Sequence, residues 1–191
     1  MKALPLIVFE QTLGEAMFHV GDEVVYPAHG VAVVKEIIEK KIKESTKIFF
    51  KLEFKFKNVT ILIPKEKLEQ IGVRFVSPLS EVESMLYALG LEEDLFGGKC
   101  KEGLAGSWNR RQKDYQSRLE SGSLREIARA YRDLKLHSEK KALSFGEKGL
   151  LDMAEDLLLQ EVATATKMGH ADVLQKLRSP FNIKSEDVTT C

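Results

Sequence analysis

The chain has 191 residues and a mass of 21.6 kDa, room for one large domain or two small ones that each bury a core. Its 29 basic side chains balance 29 acidic ones, so net charge does not mark a binder of nucleic acid or membrane. Cys100 and Cys191 lack the spacing of a disulfide framework or zinc site, MKALPLIVFEQ lacks the pattern of a secretory signal, and no stretch is long enough to span a bilayer.

These features point to a cytosolic, cytoplasmic protein with reduced thiols and no membrane partner. Charge is nevertheless unevenly spread. Residues 17–76 carry 11 cations against 8 anions, 77–98 carry 5 anions and no cation, 101–140 carry 10 cations against 6 anions, and 141–191 carry 6 against 8. Basic character is thus confined to two stretches separated by an acidic one.

Residues 1–16 show no periodicity that demands a place in a fold, and are expected to be a dispensable extension ahead of Met17. From Val20 to Pro64 the pattern is β. VGDEVVYPAHGVAVV holds two β-branched runs divided by a turn at Pro27 and Gly30. KIFFKLEFKFK alternates, with Ile48, Phe50, Leu52, Phe54 and Phe56 on one face, and only Phe49 breaks the rule. Lys57-Asn58 connects to VTILI, which ends at Pro64. Four to five short antiparallel strands are too few for a sandwich, so a small SH3-like or Tudor-like barrel is the compact solution. IGVRFVSP reads as a linker.

The second half is helical, which makes the fold class α+β: a small Tudor-like barrel followed by an all-helical bundle. Capping boxes are expected at Ser80/Glu83, Ser123/Glu126 and Ser144/Glu147, and C-terminal glycines at Gly90, Gly122 and Gly169. These signals predict helices near 80–89, 107–121, 123–141, 145–168 and 170–178. Leu124, Ile127, Ala128, Tyr131 and Leu134 form one core stripe; Leu150, Leu151, Ala154, Leu157, Leu158 and Val162 form another. The glycine-rich and acidic stretch 89–106 reads as an exposed loop, and SPFNIKSEDVTTC as a frayed tail.

The segment GSWNRRQKDYQSRL (106–119) poses a problem of charge. Ser107 is a good N-cap, so Trp108 would open a helix with Arg110, Arg111 and Lys113 in or just after its first turn. A helix N-terminus already carries about half a positive charge, and each added cation there costs roughly 0.3–1 kcal/mol unless an anion is near. Two readings are open. Trp108 can pack in the core, the common use of a lone tryptophan. Alternatively, the indole, the cations and the free N–H groups together suit a polyanion with stackable bases, which is nucleic acid.

The sequence offers no catalytic constellation. The glycines of FGGKCKEG lack P-loop spacing, and the carboxylates of EED (92–94) are contiguous and solvated. His19, His29, His137 and His170 have no partner at ligand spacing, and His29 in PAHG reads as a turn residue. No enzyme activity, metal, cofactor or small-molecule ligand is expected.

VGDEVVYPAHGVAVV, IPKEKLEQIGVR, SWNRRQKDYQSRLESGSLREIARAYRDL and LSFGEKGLLDMAEDLLLQEVA together resemble the CarD/CdnL family of bacterial RNA-polymerase-binding transcription regulators, over residues 17–168. The resemblance implies a Tudor-like polymerase-interaction domain over 17–76 that grips the RNA polymerase β subunit. A helical domain over 77–179 would face promoter DNA, and 180–191 would be a flexible tail. It also implies that Trp108 wedges into the minor groove at the upstream edge of the transcription bubble, without sequence preference, while Arg110, Arg111, Lys113 and Lys148 hold phosphates. The expected product is a stabilised open complex. On the polymerase side the implied positions are Lys40, Lys41, Ile42, Lys43 and Leu62.

The chain departs from the family pattern in two places. Leu62 stands where relatives often carry Arg, which implies a more apolar polymerase contact. Lys135, Leu136 and His137 follow RDL where relatives can place more Arg, which implies a smaller DNA footprint. The alternative is a protein-interaction scaffold that uses its Tudor-like domain without touching DNA.

Overall fold

The computed structural model describes residues 18–42, 45–91 and 108–182. The expected N-terminal extension, Lys43, the Ser107 cap, residues 92–106 of the expected loop and residues 183–191 of the tail lie outside the described residues, as do the side chains of Trp108, Asn109 and Asn182.

Among the described residues five strands form one antiparallel sheet in the order β4-β3-β2-β1-β5: β1 Glu23–Tyr26, β2 Gly30–Ile42, β3 Ser45–Phe54, β4 Thr60–Pro64 and β5 Arg74–Phe75. The turn after β1 places Ala28 and Gly30 at φ 62 and 99, and the second of these is a conformation only glycine adopts readily. Strands β2 and β3 make a long hairpin whose ladder slips between Val34 and Glu36. Phe50, Leu52 and Phe54 are buried with Phe18, Val24, Ala32, Val34, Ile63, Leu68 and Val73, as the alternation required. Phe49 points the other way, under the ammonium of Lys40, 5.7 Å from its ring centre.

Two elements went unread between 64 and 78: helix α1 (Lys65–Ile71) and strand β5, the latter within the expected linker. In α1 only Leu68 is buried and no side chain caps its start, so its two turns carry too little periodicity to notice. It ends at Gly72, φ 80, whose N–H reaches the carbonyls of Leu68 and Glu69.

The helices are α2 Leu79–Leu89, α3 Trp108–Glu120, α4 Leu124–Lys140, α5 Phe145–Thr166 and α6 His170–Asn182. Their caps only partly match expectation. Ser144/Glu147 forms a full capping box, and the Ser123 hydroxyl accepts from the Glu126 N–H. The expected Ser80 cap does not form, because Pro78, at φ −63 and ψ 154, turns the chain into α2 ahead of it and leaves Ser80 in the first turn. Gly122 adopts φ 68, but Gly90 stays right-handed, and the left-handed end of α5 falls on Lys167 rather than Gly169. Helix α6 runs through Pro180 to Asn182, past the expected end, because Phe181 packs edge-on against Tyr131 at 5.8 Å and repays its ordering.

Both expected stripes face a single bundle core. Val82 and Met85 of α2, Tyr115 and Leu119 of α3, and Val173 and Leu177 of α6 join it.

Sheet and bundle meet along the second half of α5. The Gln160 side chain lies over the β1–β2 turn and accepts from the Val31 N–H at 3.1 Å. A Cβ on Gly30 would stand 1.9 Å from its Oε1, so only glycine permits this approach. The next residue, Glu161, is 2% exposed and accepts from Arg74 Nη1 and Nη2 at 2.7 and 2.9 Å and from the Ser77 N–H at 3.1 Å. Arg74 Nε also donates to the Gly122 carbonyl at 2.7 Å, between α3 and α4.

Candidate functional site

The cations of α3 are not equivalent in the folded chain. Arg110 and Lys113, three residues apart, share the solvent face, whereas Arg111 turns inward with Tyr115 and Leu119. Tyr115 is buried, and that burial, followed by the nearby Asp133 carboxylate, pushes its phenol up to about 12, so it stays neutral. Beside it Arg118 bridges Asp114 and Asp133 at 2.9 and 3.2 Å, tying α3 to α4.

Arg111 finds its anion on another helix. Glu147, the capping-box carboxylate of α5, lies 3.7 Å from the Arg111 guanidinium and 3.7 Å from His137 Nε2, at the last turn of α4. Burial alone would raise this carboxyl. The N–H and hydroxyl of Ser144, both donating at 2.8 Å, outweigh it together with His137 and Arg111, and hold it below the ordinary carboxylate value. One glutamate therefore caps α5 and gathers the start of α3 and the end of α4 around it, which resolves part of the charge problem posed by the sequence.

Around this buried carboxylate the surface is basic and partly apolar. Lys148 is exposed on the first turn of α5, Lys140 and Lys141 are exposed where α4 ends, and Arg110 and Lys113 rise from α3. Phe145, the first residue of α5, is 96% exposed. Sequence reasoning did not single out Phe145 and did not read Glu147 as a partner of Arg111 and His137. Phe145 precedes Leu150 by five residues, about 140° around the helix from the stripe at 3.6 residues per turn, which was a legible sign that it points outward. Glu147 was legible only as a cap. The structure thus brings Arg110, Arg111, Lys113 and Lys148 to one end of the bundle, and the backbone of Trp108 opens α3 at the same end.

The residues expected on the polymerase side lie on the sheet. Lys40, Lys41 and Ile42 are exposed at the end of β2. Lys40 pairs with Lys47 and Ile42 with Ser45, while Leu62, 43% exposed on the edge strand β4, pairs with Lys51. Directly opposed residues share a face, so Lys40, Ile42 and Leu62 lie on the outer face with Phe49, and Lys41 lies on the reverse. Lys47 and Lys51 are four residues apart on β3, which separates the lysine end from Leu62 by about 13 Å at 3.3 Å per residue.

Among the described residues no cluster of His, Cys, Asp and Glu could hold a metal ion, and no helix is long and apolar enough to cross a membrane.

Two family models match the chain: the CarD-like/TRCF RID domain over residues 18–77 and the C-terminal domain of CarD over residues 95–178. The chain is also 28% identical over 146 residues to a protein of Bacillus subtilis (strain 168) that bears the name "Putative transcription factor YdeB"; the match covers 76% of this chain and 90% of that protein.

Proposed function

Because the chain belongs to the CarD-like family of transcription factors, we propose that it binds the β subunit of bacterial RNA polymerase through its sheet and stabilises the open promoter complex with the α3–α5 end of its bundle. Its work is then in the cytoplasm, at the nucleoid. The observation that carries this reading is that Arg110 and Lys113 of α3 and Lys148 and Phe145 of the first turn of α5 are all exposed at the end of the bundle where Arg111 meets Glu147 and α3 begins with Trp108. Cations there meet phosphates, and an aromatic face meets unstacked bases at the bubble edge. Arg111 lies 3.7 Å from Glu147, so it is not counted among the outward phosphate contacts.

On the sheet, the edge strand β4 offers backbone groups that a partner strand can extend and carries Leu62 on the outer face, with Lys40 on the same face two strands in, on β2. Leu62 makes that contact apolar where an arginine would make it ionic.

The magnitudes explain why both ends are needed. Three outward phosphate contacts give a log–log salt slope of about −2.7, so a fourfold rise in salt weakens that binding about 40-fold. Such contacts are weak alone, but tethering on polymerase raises the effective concentration toward about millimolar. A stacked aromatic then adds roughly 1–3 kcal/mol at the bubble.

The test compares competitor-resistant open complexes formed by the cognate polymerase with wild-type protein, Trp108→Ala and Arg110→Glu/Lys113→Glu. Both variants are expected to keep polymerase binding and to shorten the lifetime of the complex, Trp108→Ala by about five- to 150-fold on the stacking scale. An unchanged lifetime with a folded, polymerase-bound Trp108→Ala would return the indole to the core and leave a scaffold that does not touch DNA.

A further inference from the structure

Helix α5 runs unbroken for 22 residues from Phe145 to Thr166. Its first turn carries Phe145, Glu147 and Lys148; Gln160 and Glu161, about 20 Å further along at 1.5 Å per residue, grip the sheet. We infer that Arg74, Gln160 and Glu161 are positioning residues, which lock the sheet onto α5 in a single orientation so that the helix holds its basic end at a fixed place relative to the polymerase-docking edge. This rests on the proposed roles of those two surfaces.

The chemistry of the joint supports the inference. Apolar surfaces of similar volume would join the two parts at least as stably, since a buried ion pair adds little net stability over a hydrophobic contact. What the pair adds is direction. Two parallel N–H···O bonds from a planar guanidinium fix both distance and angle, whereas an apolar contact can slide. The third guanidinium nitrogen donates to the Gly122 carbonyl, so the same arginine also fixes the α3–α4 corner. Gln160 gives a second point, reached only because Gly30 has no side chain, and its own amide is held by Asp156 at 2.8 Å. Pro27 closes a third: a Cβ on Gly122 would stand 2.9 Å from its Cγ. Three points define a plane, and the sheet cannot swing about α5 without breaking one of them.

A rigid joint matters because the DNA contacts are weak. With a flexible tether the bundle would sample many positions around the docking site, and its effective concentration at the bubble edge would fall. With the joint intact, docking the sheet also aims the basic end.

The experiment uses the full chain with Arg74→Ala, Arg74→Lys and Gln160→Ala, and reads circular dichroism, small-angle scattering, binding to polymerase holoenzyme and open-complex lifetime. Arg74→Ala and Gln160→Ala are expected to keep helical content and polymerase binding, to broaden the distribution of intramolecular distances, and to shorten the lifetime, by on the order of tenfold, as the effective concentration at the bubble edge falls. Arg74→Lys, which keeps the charge and loses the fork, should fall between. If Arg74→Ala fails to fold, the other two variants decide. The inference is overturned if folded variants scatter like the wild type, or if they scatter more broadly with an undiminished lifetime. A failure of the function itself looks different, because Trp108→Ala would then also leave the lifetime unchanged, while scattering would still report whether the joint is what holds sheet and bundle.

Discussion

Glu147 and Glu161 are both buried on α5, at its opposite ends, and they are held in different ways. Glu147 is satisfied mainly by Ser144, three residues away, and meets Arg111 and His137 only at 3.7 Å. Glu161 is satisfied by Arg74 and Ser77, 87 and 84 residues away. A carboxylate closed by its own helix start survives the loss of a distant partner, because the hydroxyl and N–H of the cap remain. A carboxylate closed across the fold does not, and its loss is felt by both parts of the molecule at once.

The sharpest way to break this contrast is to remove the distant partner. Arg74→Ala leaves Glu161 buried without its cation, a change that costs about 3–5 kcal/mol in buried pairs. Arg74 is itself 30% exposed, so the lower end of that range is expected. Urea denaturation should show the shift, and Arg111→Ala, which removes a looser partner of Glu147, should cost less than half as much. Equal losses would mean that the two ends are built alike.

Acid should act on the bundle. Glu155, like Glu147, titrates below the ordinary carboxylate value, chiefly because Arg178 donates to it, against the effect of burial and with help from the Tyr131 hydroxyl. Both carboxyls therefore bind protons less readily in the folded chain than in the unfolded one. Their stabilisation is complete above about pH 4.5 and is lost as pH falls further, through their folded values. The urea midpoint is expected to decline over that window, and Glu147→Gln/Glu155→Gln to flatten the decline. An equally steep decline in the double variant would place the acid sensitivity elsewhere.

Smaller effects should test the cap itself. Ser144→Ala removes the hydroxyl that both accepts from the Glu147 N–H and donates to its carboxylate, and should cost about 1 kcal/mol. Polymerase binding should be unaffected, since the sheet is held from the other end of α5. Gly149→Ala should move stability the opposite way. Gly149 lies within α5 with nothing within 4 Å of an added Cβ, so alanine is expected to stabilise by roughly 0.5–1 kcal/mol, readable as a rise in the melting temperature.

Much of this molecule was legible from local pattern. The alternation of KIFFKLEFKFK predicted which residues of β3 enter the core, and the stripes of α4 and α5 predicted their buried faces, because burial repeats with a period of two on a strand and about 3.6 on a helix. The Ser144/Glu147 box was legible because both of its hydrogen bonds span three residues. Motifs spread along the chain likewise pointed to the family. Short elements escaped: α1 and β5 have too few residues for a period to show, and the Ser80 box was misread because Pro78 starts the helix first.

Only the tertiary structure decided where the charges go. In the string LLLQEVA, Gln160 and Glu161 look like the polar face of an amphipathic helix, and nothing local says that each is only 2% exposed. Their partners are backbone and guanidinium groups brought in from the other half of the sequence, 129 and 87 residues away. The same holds for Arg111, which differs from Arg110 only by 100° of helix rotation, and turns toward a carboxylate that α5 alone supplies. Periodicity tells which side of an element is covered; it cannot tell what covers it, because that depends on how whole elements pack, and the pairing of charges is settled only there.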